Sequence, residues 1–365
     1  MSNIKEIISY LDQYAPRAYQ ESYDNAGLLV GDDLKELTGA LITLDVTEEV
    51  IQDAIENNCN LIIAHHPIIF RGLKKLTGSN YVERTVIKAI QNDICIYATH
   101  TNLDSVHNGV NNKISELLEL DRLQILQPKN DTLSKLTTFI PTENSSQVLD
   151  ALFRAGAGHI GQYANCSFKM NGTGTFLPDE GANPHIGERG KLEHVNEDRV
   201  EVIFPSHIKG KVMQALRKAH PYEEVAHYLH DLANENQLIG SGMIGELKSE
   251  LSGEEFIAFL KEKMELKVVK HTHFSTRKIK RIAVCGGAGS FLLPVAKAKG
   301  ADAFVSSDFK YHEFFDAEGK LLIADIGHYE SEKFTKDLLY EILNKKFPNI
   351  ALRFTKVNTN PILYT

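Results

Sequence analysis

A chain of 365 residues, 42% hydrophobic and 24% charged, can bury a large core, and its composition excludes a disordered or low-complexity protein. A formal net charge of -8 excludes a whole-chain polycationic bias toward nucleic acid or anionic membrane, while leaving local patches open. No stretch reaches the ~18 apolar residues of a membrane span, Met1-Ser2-Asn3-Ile4-Lys5-Glu6 lacks a secretory apolar core, and the four cysteines form no C-x-x-C pair, so a cytoplasmic protein is expected.

In chain order, Ile4, Ile7, Ile8 and Leu11 recur at the spacing of one helical face. Apolar runs then alternate with helical stretches. The pattern predicts strands at Gly39–Asp45, Asn60–Ala64 and Ile94–Ala98, with helices at Glu48–Asn57, Val82–Asn92 and Val110–Leu118. Cys95, and later Cys285, fall in such runs and read as buried strand residues. From about 131 to 234 the texture changes. Strands at Leu136–Ile140, Ala164–Met170, Arg199–Phe204 and Glu223–Leu229, with helices at Ser145–Ala155 and Ser206–Lys218, give a β-α-β-β-α-β order. A Gly- and Pro-rich stretch, Asn171–Gly190, reads as a long ordered loop or a mobile flap. From about 235 the first rhythm returns. Strands are predicted at Lys280–Cys285, Ala303–Val305, Leu321–Ala324 and Ile350–Phe354, and helices at Gly253–Lys263, Leu292–Lys299 and Ser331–Lys345. The fold class is α/β: one domain from 1–130 and 235–365, split by an inserted ferredoxin-like α+β domain at 131–234.

Chemistry concentrates at strand ends, where ligands bind in open α/β sheets. Ala64-His65-His66-Pro67 follows one strand. Adjacent side chains on extended backbone point apart, so both histidines serve one site only if the chain turns there. Asp104, past the next strand, is placed to reach the same mouth, although an Asp after a strand is also a common turn residue. His328 and Glu332 follow a third strand and stand at i and i+4 on one helical face, the spacing by which a helix offers two ligands. Glu330, the competing carboxylate, projects from another side. Histidine with carboxylate suits Zn²⁺, Mn²⁺, Fe²⁺ or Co²⁺ better than Ca²⁺. Five such residues exceed a closed tetrahedral zinc site and suit a centre of two divalent metal ions per chain. The cluster Cys285-Gly286-Gly287-Ala288-Gly289-Ser290 is either an anion-binding nest or, as such turns usually are, structural.

These motifs together resemble the Nif-three-like family, the GTP cyclohydrolase 1 type 2 homologs. The matching stretches are Tyr23-Asp24-Asn25-Ala26-Gly27-Leu28-Leu29-Val30-Gly31, Ala64-His65-His66-Pro67, Thr99-His100-Thr101-Asn102-Leu103-Asp104, Asp308-Phe309-Lys310-Tyr311-His312, Asp325-Ile326-Gly327-His328-Tyr329-Glu330-Ser331-Glu332 and the terminal Asn358-Thr359-Asn360-Pro361. The segment Ser105-Val106-His107-Asn108-Gly109 departs from the family's double-glycine stretch. The resemblance implies a dinuclear metal site on His65, His66, Asp104, His328 and Glu332, lined by His100, Lys310 and His312. The middle segment is similar to the PII-like and CutA-like insertion of longer members, through Gly156-Ala157-Gly158-His159-Ile160-Gly161-Gln162-Tyr163, Gly174-Thr175-Phe176 and His220-Pro221-Tyr222-Glu223-Glu224. It implies a homohexameric toroid.

The function expected from the resemblance is metal-dependent hydrolysis of a nucleotide-like substrate such as GTP, with His100 as proton shuttle. A cyclohydrolase of this kind would open the imidazole ring of guanine and release formate. The alternatives are a non-enzymatic metal chaperone or store, and a PII-like regulatory protein whose insert senses a small molecule. No nucleic acid or membrane partner is expected.

Overall fold

Three runs in the first third of the chain, Ala40–Thr43, Leu61–Ala64 and Cys95–Ala98, are buried at every residue, as parallel strands covered on both faces must be. Their side chains alternate between two cores. Ala40, Ile42, Leu61, Ile63, Cys95 and Tyr97 face one hydrophobic cluster, whereas Leu41, Ile62, Ala64 and Ile96 face another. The second cluster is roofed by the helices Glu48–Glu56 and Tyr81–Gln91, whose N-caps Thr47 and Asn80 accept hydrogen bonds from Val50 and Glu83 backbone N–H groups. The sheet is completed by Gly27–Val30, antiparallel to Cys95–Ala98, and by Leu352–Phe354, parallel to Ala40–Thr43.

The computed structural model describes residues 3–274 and 277–365, which fall into two compact units: Met1–Pro128 with Gln237–Thr365, and Lys129–Asn236. The first unit holds a second sheet of six strands, in the order Lys270–His271, Leu322–Asp325, Ala303–Ser307, Ile279–Ala288, Gly240–Leu251, Asp121–Pro128. The fold is therefore mixed α/β with several sheets. Ile282, Val284, Val305 and Ala324 of this sheet join the same cluster as Ile42, Ile63 and Tyr97, together with the helices Ile4–Tyr14, Val110–Leu117, Gly253–Lys263 and Thr335–Lys346. That shared core binds the first third of the chain to the last. Ala283, Phe304 and Ile323 face outward into a separate cluster under Leu292, Leu293 and Ala296.

By itself, Lys129–Asn236 follows a β-α-β-β-α-β order with one antiparallel sheet, Phe168–Phe176, Glu193–Pro205, Leu133–Pro141, His227–Leu232. Its helices Ser145–Arg154 and Lys209–Ala219 pack on Leu136, Ile140, Val200, Val202 and Phe204.

Several elements differ from the sequence pattern. Gly240–Leu251 is a twelve-residue strand for which the sequence pattern marks no element. A Cβ on Gly240 would strike the Gln127 carbonyl and one on Gly245 would lie 2.7 Å from Leu123 Cδ2, so these glycines serve close strand approach. The expected strand Ala164–Met170 begins at Phe168 and continues through Asn171–Phe176, which shortens the expected loop. The expected helix Ser331–Lys345 is two helices, His328–Glu332 and Thr335–Lys346, because Ser331 binds the His328 carbonyl and the Gly287 N–H and holds the first turn against the second sheet. Cys95 and Cys285 are buried strand residues, and no helix among the described residues is long and apolar enough to cross a membrane.

Candidate metal centre

The strand Leu61–Ala64 ends one residue before His65, and there the chain turns. Backbone N–H groups of both His65 and His66 bond to the Leu44 carbonyl, which swings the two rings to one side with centroids 4.9 Å apart. Cys95–Ala98 ends beside them, and the short helix Thr101–Ser105 carries Asp104. Gly109 allows the turn after that helix to close, since a Cβ there would strike the Leu103 carbonyl; the departure at 105–109 leaves Asp104 in place, its carbonyl bonded by Asn111 Nδ2 at 3.0 Å. From the other sheet, Leu322–Asp325 leads through Gly327, at φ +91, into the helix His328–Glu332.

The side chains from both ends of the chain meet around Glu332. Its Oε2 lies 2.9 Å from His66 Nε2 and 3.1 Å from His328 Nε2, and its Oε1 lies 3.6 Å from His65 Nε2. His65 Nε2 is 3.7 Å from Asp104 Oδ1, and the Nε2 atoms of His66 and His328 are 3.3 Å apart. Gly287 makes room: at φ +62, a Cβ on it would lie 2.5 Å from Glu332 Oε1. Glu330 points elsewhere, to Asn360 Nδ2 at 2.9 Å.

Every imidazole in the cluster is anchored through Nδ1. His65 donates to the Thr99 carbonyl at 2.8 Å, His66 to Asp45 Oδ1 at 2.7 Å, and His328 to Asp308 Oδ2 at 2.7 Å. Such anchoring fixes the tautomer that presents Nε2 to a metal ion and raises its basicity. Thr359 holds the other Asp45 oxygen at 2.8 Å, so the terminal Asn358-Thr359-Asn360-Pro361 stretch braces the site. Asp45, Asp308 and Thr99 are functional neighbours that the sequence pattern did not single out. Asp308 and Thr99 lay inside recognised stretches, and Asp45 closed the expected strand Gly39–Asp45, two residues past the observed end at Thr43.

The donor set fits a divalent cation. His65 Nε2 and Asp104 Oδ1 are buried without a hydrogen-bond partner, although each faces the other across the cluster. Ligand atoms of His65, His66 and Glu332 all lie within 4.8 Å of one another. The electrostatics match. Burial, then the charge of Glu332, pushes Asp104 up to about 8. Burial also opposes ionisation of Glu332, yet the charge of His65 and the hydrogen bonds of the histidines around it hold its carboxyl well below the usual range. His66 rises to about 10 and His328 to about 9: burial disfavours each cation, but the bonds of His66 to Asp45 and Glu332, and of His328 to Glu332 and Asp308, outweigh it. Asp104 and the imidazoles of His66 and His328 thus hold protons around the ionised Glu332, where a cation would replace them.

Over this cluster lies a cavity of about 210 Å³, lined by Tyr23, His100, Asp104, Phe291, His328 and Glu332 among others. His100 Nδ1 bonds Asp24 Oδ1 at 2.7 Å, and its ring sits 5.5 Å from those of His65 and His66. Burial resists ionisation of Asp24, but hydrogen bonds from His100 and Thr101 bring it down to about 2. Lys310 and His312 do not line the cavity. Asp308, at φ +59, turns the chain outward, and both residues are exposed at the start of the turn Tyr311–Ala317, where His312 stacks on Phe315. The glycine cluster is structural at its first two residues: Gly286 N–H bonds Asn111 Oδ1 and Gly287 N–H bonds Ser331 Oγ. Burial, with the charges of Asp104 and Glu332, pushes the Cys285 thiol up, so it offers no thiolate.

The model of the family described as Duf34/NIF3 (NGG1p interacting factor 3) matches residues 2–361. A Bacillus subtilis (strain 168) protein named GTP cyclohydrolase 1 type 2 homolog is 40% identical over 368 residues, covering 99% of this chain and 98% of its own. A protein of the same name from Staphylococcus aureus (strain MSSA476) is 37% identical over 367 residues, 99% of each chain. The solved structure of a Bacillus cereus protein related to NIF3 is similar with a TM-score of 0.87 at 37% identity, covering 100% of this chain and 99% of that one.

Proposed function

This chain belongs to the Duf34/NIF3 family, and on that footing we propose that it is a metal-dependent hydrolase of a nucleotide-like substrate, holding two divalent cations on His65, His66, Asp104, His328 and Glu332. The observation that carries the reading is the set of three imidazoles, each locked through Nδ1, whose Nε2 atoms face Glu332 and Asp104 beneath an open cavity. Divalent ions held there supply Lewis acidity and lower the pKa of water. The chain's own groups do the rest. His100, steered by Asp24, presents its ring to the cavity and moves a proton between substrate and solvent. Tyr23 and Phe291, 63% and 61% exposed on the cavity rim, offer π faces on which a planar base stacks. GTP is the first substrate to try, because relatives carry the cyclohydrolase name.

The test is metal analysis of the purified chain, followed by turnover of GTP and other nucleotides with the matched metal, with formate measured as product. His100→Gln should keep the metal and lose turnover about a hundredfold or more, the low end of the 10²–10⁴ range for a lost proton-transfer group. A metal-loaded chain inert toward all nucleotides would favour the store instead.

Within the same proposal, Lys129–Asn236 is an inserted domain of the PII- or CutA-like kind, and the assembly is a homohexamer. Pro128 and Gly240 are paired across antiparallel strands, so the chain leaves and rejoins the first unit at neighbouring points, as an insertion at a hairpin tip does. Light scattering should give six times the 40.8 kDa chain mass.

A further inference from the structure

The sheet of Lys129–Asn236 turns Leu136, Ile140, Val200 and Val202 toward its helices. Residues one position out of step, among them Phe139, Glu197 and Tyr228, point to the opposite face. A cavity of about 410 Å³ opens there, within the ~300–1,000 Å³ range of small-molecule sites. Its walls are aromatic. Phe139 meets Tyr228 edge to face with centroids 5.8 Å apart, Phe176 meets Tyr222 at 5.8 Å, and His185 lies 6.4 Å from Tyr222. The loop across it is tied down by Asn183 N–H, which donates to Glu223 Oε1 at 2.7 Å.

The charge lining this cavity has one sign. Glu197, Glu223 and Glu224 line it, and no Lys or Arg does. Glu197 is the decisive group because it is only 8% exposed and forms no ion pair among the described residues. Its neighbour is Tyr222, whose hydroxyl is buried without a hydrogen-bond partner and is raised above its ordinary value by burial and by the charge of Glu197. The neighbouring strand makes room for this carboxylate, since a Cβ on Gly174 would strike Glu197 Oε2. A carboxylate on a cavity wall with no cation beside it is an available counter-ion for a cationic ligand. Aromatic faces around it attract positive charge and repel anions.

We propose that this cavity binds a small organic cation, a quaternary ammonium or protonated amine, with Glu197 as its counter-ion and Phe139, Phe176, Tyr222 and Tyr228 as its aromatic cage. The site is chemically opposite to the metal centre, whose proposed substrate is an anion, and it stands whether or not that centre is catalytic.

The experiment is calorimetric titration of the full chain with tetramethylammonium, choline and spermidine, with 3,3-dimethyl-1-butanol as the uncharged isostere of choline. At least one cation should bind and the alcohol should not. Glu197→Gln, which removes the charge at constant shape, should weaken binding about tenfold or more while leaving the metal content unchanged. Tyr228→Leu, at an exposed position, should also weaken binding through loss of one π face. The proposal is overturned if no cation binds at millimolar concentration, if the alcohol binds equally, or if Glu197→Gln binds undiminished. Zn²⁺ or Mn²⁺ uptake at this cavity, lost in Glu197→Gln, would overturn it in favour of a second metal site.

Discussion

Loading the metal-stripped chain with a divalent cation at pH 7 should release about three protons per chain. Ligands bind metal only when imidazole is neutral and carboxylate ionised. In the metal-free chain Asp104 is raised to about 8, His328 to about 9 and His66 to about 10, so all three are mainly protonated at pH 7. With ordinary values, about 6.5 for His and 3.9 for Asp, the two imidazoles would release roughly half a proton between them and the carboxylate none. The difference is large enough to read with a pH-indicator dye in weak buffer, or by calorimetry in two buffers of different ionisation enthalpy. The count should fall as pH rises, first through about 8 as Asp104 ionises and then through 9 to 10. Asp45→Asn removes one of the two acids that raise His66, so it should lower the count near pH 9 and weaken metal affinity roughly 10–100-fold. The same shifts set a stability trend for the metal-free chain. Their contribution is complete below about pH 4 for Asp104 and about 6.5 for the imidazoles, and it is lost as pH rises through 8 to 10. Release of less than one proton per chain at pH 7 would refute the shared-proton account of the site.

His66→Ala and Asp104→Ala should each lower bound metal from two ions per chain toward one or none by elemental analysis; unchanged content in both would remove the shared centre. Gly287→Ala places a methyl 2.5 Å from Glu332 Oε1 at a backbone φ of +62, so it should cost about 1–3 kcal/mol in thermal or denaturant unfolding and lower the metal content. Wild-type stability and metal in that variant would show that Glu332 does not need the space. Excision of Lys129–Asn236 with a short turn joining Pro128 to Gln237 should leave a folded, metal-binding unit, because Gly240 and Pro128 are already hairpin partners. A soluble but metal-free product would mean that the excised part contributes to the site.

The rhythm of the first unit is legible along the chain. Leu61–Ala64, Cys95–Ala98 and Leu322-Ile323-Ala324, which Asp325 closes, are apolar runs because parallel strands covered on both faces have no solvent side to encode. The sequence also places His65, His66, Asp104 and the His328, Glu332 pair at the ends of those runs. Long strands rich in glycine were not legible. In Gly240–Leu251 the glycines answer to the approach of neighbouring backbone, a property of the partner strands rather than of the segment. Nor were the anchors. Asp45, Asp308 and Asp24 are lone carboxylates that look like turn residues until an imidazole Nδ1 is found 2.7 Å away. That His66 and Glu332 lie 2.9 Å apart across 266 positions is a product of packing. The physical reason is the single hydrophobic cluster that takes Ile42, Ile63 and Tyr97 from one sheet and Ile282, Val305 and Ala324 from the other. Burying those faces against each other brings the carboxyl ends of both sheets to one place, and no local pattern in either third of the chain records that meeting.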